Sequence, residues 1–64
     1  MNPTDRQIEI VQAVANGLGS MAIGGILKIS HKTVEKETEK MRRDYNAASS
    51  CNLVAIFFRR KLIK

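Results

Sequence analysis

The stretch Ile23-Gly24-Gly25-Ile26-Leu27-Lys28-Ile29-Ser30-His31-Lys32-Thr33-Val34-Glu35-Lys36, at the centre of residues 18–41, constrains the fold more than any other part of the chain. Its spacing predicts a short apolar helix that stops at Lys28, a turn through Ile29, and a second helix capped by Ser30 and dense in charge. Two helices joined by so short a turn form a helix-turn-helix. The remaining residues support these helices or offer surfaces for joining two copies.

Upstream, Thr4 precedes Gln7 by three residues, the spacing of a reciprocal capping box, and Asp5 falls in the first turn where it favours the helix dipole. Ile8, Val11, Ala15 and Leu18 recur at helical spacing with Val14 beside them, and Asn16-Gly17 ends the pattern, so a first helix is expected over about 5–16. Gly19 or Ser20 then caps a second helix over 20–27, in which Ile23 and Leu27 share the buried face. Each glycine inside it costs about 1 kcal/mol relative to alanine. At Gly24 that cost fits a close crossing of two helices; Gly25 has no such explanation.

After Ser30, the residues Val34, Thr38, Met41 and Tyr45 fall within an arc of about 60°, the inward face of a helix over 31–45. Lys32, Lys36 and Arg43 share the opposite side with Glu39, which stands four residues before Arg43 in the favourable order for an ion pair. Ser49 or Ser50 caps a last helix, over 50–61, whose centre Leu53-Val54-Ala55-Ile56-Phe57-Phe58 is apolar all round. One face of it, Leu53, Ile56 and Phe57, closes the core. The apolar surplus predicts self-association through Val54, Phe57 and Phe58, against the plainer reading of core filling in a very small protein.

Sixty-four residues allow one domain, taken as 1–64, with one small core. The fold class expected is therefore all-α, four helices around a helix-turn-helix. The first residues lack the basic start and apolar run of a secretory signal, and the apolar run Leu53 to Phe58 is far short of a membrane span. Cys51 alone excludes an internal disulfide, and with His31 the only histidine no ordinary zinc cluster assembles. A cytoplasmic setting, no cofactor, no membrane partner and no small-molecule substrate follow as expectations.

Charge is more informative than size. Eleven Lys and Arg against six Asp and Glu give +5, unevenly spread. Residues 1–27 carry Arg6 against Asp5 and Glu9, whereas residues 28–43 carry six bases against Glu35, Glu37 and Glu39, and the tail carries Arg59, Arg60, Lys61 and Lys64. Such a distribution points to nucleic acid. An enzyme is not expected, because His31 and Cys51 are far apart in sequence, neither has an evident activating partner, and the three glutamates read as helix-surface charges. Cys51 reads as a small buried or half-buried hydrophobe.

Taken together and in register, these pieces resemble the LuxR/FixJ family of bacterial transcription regulators, in particular its GerE-like DNA-binding domain, over residues 4–63. Thr4 to Val11 is similar to the family's T-x-R-E-x-E-V-L opening with Gln7 in place of the first Glu, and Ala15-Asn16-Gly17 matches its A-x-G helix stop. Ile23, Leu27, Ile29-Ser30 and Thr33-Val34 match I-A-x-x-L-x-I-S-x-x-T-V, with Gly24 where alanine is usual; Leu62-Ile63 match the apolar closing pair. Three departures fall on the second half of the motif. Glu35 stands where the family has lysine, Glu37 where it has histidine, and Asp44 where it usually has a base.

The resemblance implies a double-stranded DNA-binding regulator that sets residues 31–45 in the major groove and dimerises through its last helix. On that reading His31, Lys32, Glu35 and Lys36 reach toward base edges, Glu35 by accepting from cytosine N4, while Thr33, Lys40 and Arg43 meet the backbone. The rival is an antagonist on the same fold, forming heterodimers with a related regulator through Val54, Phe57 and Phe58. A sigma-factor promoter-recognition domain shares the turn but needs a polymerase-binding region beyond this length.

Overall fold

In a computed structural model, which describes residues 2–64, the chain forms α1 (Asp5–Ala15), α2 (Ser20–Leu27), α3 (His31–Asp44) and α4 (Ser50–Arg59), with no strand among the described residues. Each boundary has a local cause. Thr4 Oγ1 accepts from Gln7 N at 3.1 Å while Gln7 Oε1 accepts from Thr4 N at 3.0 Å, completing the predicted capping box. Gly17 takes φ 89°, the left-handed conformation that stops α1 without a side-chain clash. Gly19, not Ser20, is the N-cap of α2, and Ser49, not Ser50, caps α4, its hydroxyl accepting from Asn52 N at 3.1 Å. The last helix ends two residues earlier than its apolar pattern suggests because Lys61 lies at φ 60°, outside the right-handed helix.

The core is Ile10, Val11, Ile23, Val34, Met41, Leu53, Phe57 and Ile63, drawn from all four helices and the tail. On α3 the predicted inward face holds. Val34 and Met41 are buried, Thr38 Oγ1 donates back to the Val34 carbonyl at 2.8 Å, and Tyr45 meets Phe57 edge-on with ring centroids 5.2 Å apart. The first helix is rotated from its predicted stripe. Gln7, Ile10 and Val11 are buried, Ile8 is only half-buried, and Ala15 is exposed, because α1 docks against both α3 and α4 rather than against one neighbour.

Gly24 is a close approach, though not of two helix axes. A Cβ there would stand 2.7 Å from the Ile29 carbonyl oxygen and 3.3 Å from His31 N, so the glycine lets the turn fold back onto α2. Lys28 and Ile29 both donate their backbone N–H to the Gly24 carbonyl, with Lys28 at φ 59°. This tight closure brings Ser30 to the start of α3 and fixes the angle at which α3 leaves α2.

Candidate nucleic-acid interface

The candidate surface is built on α3, and Ser30 starts that helix. Its hydroxyl accepts from Thr33 N at 3.1 Å and lies 3.0 Å from Thr33 Oγ1, satisfying one of the free donors at the helix start. At the other end, Arg42 and Arg43 in the last turn complement the negative pole of the helix dipole. Since Val34, Thr38, Met41 and Tyr45 face the core, helical geometry turns Lys32, Lys36, Lys40 and Arg43 the opposite way. All four are exposed. His31 and Glu35 are exposed near the helix start, and Thr33, bonded to Ser30, is half-buried. Six of the seven predicted side chains are thus exposed on one helix, and the seventh, Thr33, is half-buried on it.

The acids are placed differently from one another. Glu37 is half-buried and turned toward α1, where its Oε2 accepts from Gln7 Nε2 at 3.2 Å. Glu39 pairs with Arg42 at 3.5 Å, not with Arg43 as the four-residue spacing predicted. Arg42 is the one held in place, because its Nη2 also donates to the Ala48 carbonyl at 2.9 Å in the loop before α4. Arg43 is left to solvent. Glu35 lines a shallow depression with Ser20 and Glu39 beside the start of α2. Two of the three glutamates on α3 are therefore engaged within the protein, and the outward basic stripe carries no ion pair among the described residues.

Gln7 is the residue that sequence reasoning placed only at a helix cap. It is 8% exposed, and one amide serves two helices, closing the N-cap of α1 and holding the carboxylate of α3. The signal for it was present in two departures from one pattern, at positions 7 and 37, whose chemistry is complementary.

On α4 the predicted pairing surface is smaller than expected. Phe57 is 0% exposed within a single chain, wedged against Tyr45, and so offers nothing to a second copy. Val54 is half-buried against the core, and Phe58, 61% exposed, projects into solvent. Cys51 is exposed rather than buried, because it sits in the first turn of α4, away from the face that carries Leu53 and Phe57. Among the described residues no three His, Cys, Asp or Glu side chains are grouped to hold a metal, and no helix is long and apolar enough to cross a membrane.

A family model described as bacterial regulatory proteins, luxR family, matches residues 2–57. That span takes in all of α1, α2 and α3 and most of α4. Neither the curated proteins nor the solved structures compared with the chain give a match.

Proposed function

The chain belongs to the luxR family of bacterial regulatory proteins, DNA-binding regulators built on a helix-turn-helix, and from that membership we propose that it reads duplex DNA in a sequence-specific way with α3 in the major groove. The observation that carries this reading is the outward stripe of Lys32, Lys36, Lys40 and Arg43, exposed and free of carboxylate partners on one side of one helix. Lys32 and Lys36, with His31 and Glu35, reach base edges; Thr33, Lys40 and Arg43 hold the sugar-phosphate backbone. Glu35 is suited to the N4 amino group of cytosine, and Lys36 supplies the cation that the family's lysine would bring one position earlier. Two copies pair through α4, chiefly its end, where Phe58 is exposed, with half-buried Val54 one turn before it, so that two half-sites are read from one face of the duplex.

The test is binding to duplexes selected from a random pool, followed as a function of salt. Steep salt dependence is expected, and the Lys32→Ala/Lys36→Ala double variant should bind at least about 100-fold more weakly with its fold intact by circular dichroism. Unchanged binding by that variant would overturn the assignment of α3. Glu35 and the exposed Phe58 favour one other reading, an antagonist that pairs with a related regulator. Failure of the pure chain to bind any duplex at low salt, together with its co-purification with a larger regulator, would decide for it.

A further inference from the structure

A groove of about 410 Å³ opens between α1 and α2, lined mainly by Ile8, Ala13, Leu18, Ile26 and Leu27, and Glu9 is its one charged lining residue. Ile26 is 64% exposed and Leu18 36%, so apolar surface lies open to water along its rim. A second apolar patch lies at the end of the chain. There Phe58, 61% exposed, stands among Arg59, Lys61 and Lys64, with no acid. The two surfaces are opposite in charge: an apolar recess with the Glu9 carboxylate beside it, and an exposed aromatic ring among bases.

They also adjoin. Gln12, another lining residue of the groove, accepts from Lys64 N at 2.8 Å and donates to the Lys64 carbonyl at 3.2 Å, and Lys64 borders the Phe58 patch. Neighbouring, mutually complementary patches on one chain permit a closed two-fold pairing in which each contact is made twice. No residue of α3 lines either surface, so such a pairing leaves the basic stripe free.

We propose that two copies of this chain dimerise by seating Phe58 of each in the α1/α2 groove of the other, with Arg59 or Lys61 brought beside the partner's acidic rim. This rests on the reading that copies pair through the end of α4, and it identifies what Phe58 meets there. Space does not prevent it, since a cavity of about 150 Å³ already takes up benzene. An aromatic anchor entering an apolar recess inside a polar rim is the kind of contact on which association energy concentrates.

Sedimentation equilibrium of the whole chain tests the pairing. The unsubstituted chain is expected to be dimeric, and Phe58→Asp and Ile26→Asp should each weaken association by about 30-fold or more. Leu18→Lys provides a second groove variant, and matched thermal melts confirm that each variant folds. Mixing Phe58→Asp with Ile26→Asp should restore a dimer held by the one contact that remains intact, ring from the second and groove from the first. A mixture that stays monomeric overturns the proposal. A chain that is monomeric without substitution overturns both the groove and pairing through α4. If Phe58→Asp is monomeric while both groove variants remain dimeric, pairing through α4 stands and the groove is not its partner.

Discussion

Gln7 Nε2 donates to Glu37 Oε2 across 3.2 Å, and this bond joins two departures from the family pattern that stand on different helices. Where the pattern has an acid on α1 and a histidine on α3, this chain has an amide on α1 and an acid on α3. The amide is used at both ends, since Gln7 Oε1 also accepts the N-cap amide of Thr4. Glu37 is thereby turned toward α1 and away from the surface on which Lys32, Lys36 and Lys40 stand.

Restoring the pattern at only one of these positions should therefore be harmful. Gln7→Glu keeps an acceptor for Thr4 N but sets a carboxylate against that of Glu37 at a site only 8% exposed, and a loss of about 1–3 kcal/mol is expected from the broken bond and the repulsion. Glu37→Gln in the Gln7→Glu background recreates an amide–carboxylate pair with the roles exchanged and should recover most of that loss. Urea melts of the two single variants and the double variant give the coupling directly. Additive effects would mean that the bond contributes nothing to stability.

Gly24 and Gly25 are adjacent and should respond to alanine with opposite sign. A Cβ at Gly25 meets nothing within 4 Å, so Gly25→Ala should stabilise α2 by about 0.5–1 kcal/mol. At Gly24 the obstacle is the Ile29 carbonyl at 2.7 Å, which is backbone and cannot rotate away. Alanine, usual in the family at this position, requires the turn to stand further off than it does here. Gly24→Ala is expected to cost about 1–2 kcal/mol despite its better helix propensity. Thermal denaturation of the two variants beside the unsubstituted chain checks both signs.

What could be read in the sequence were the features decided within four residues. The Thr4 box, the Gly17 stop, the Ser30 cap and the inward face Val34 to Tyr45 each depend on near neighbours, and each stands where the spacing placed it. The buried face of α1 was not legible, because Ile8, Ile10, Val11, Ala13, Val14 and Ala15 offer apolar choices in most directions and docking against α3 and α4 makes the selection. The same holds for Glu39, within reach of both Arg42 and Arg43 along the helix. A carbonyl from the loop at Ala48 decides for Arg42. Phe57 and Phe58 are equally apolar as letters; the four-residue spacing from Leu53 puts Phe57 on the core face, where it meets Tyr45, and leaves Phe58 exposed.

The end of the chain is part of the fold. Ile63 is 6% exposed in the core, and both backbone polar groups of Lys64 are met by the side chain of Gln12. Ile63→Ala should cost about 2–4 kcal/mol through lost burial and the cavity left behind. Gln12→Ala, which leaves the core intact, is expected to cost about 1 kcal/mol and to speed amide exchange at Lys64 while exchange in α3 stays unchanged. Equal acceleration throughout would show the clamp acting on global stability instead.

The two glutamates that replace basic family residues should separate function from stability. Glu35 is exposed and makes no hydrogen bond among the described residues, so Glu35→Lys should leave the melting temperature nearly unchanged. By supplying the cation that the family pattern has there, it should tighten duplex binding and steepen the salt dependence by about one counterion, and if Glu35 makes the proposed contact a preference for cytosine should be lost with it. Glu37→His alters a side chain already held by Gln7, and its main effect should be a loss of about 1 kcal/mol in stability with little change in the salt slope. Titrations of both variants at several salt concentrations, beside their thermal melts, place each acid. A steeper slope for Glu37→His than for Glu35→Lys would mean that the outward face of α3 has been taken from the wrong side of the helix.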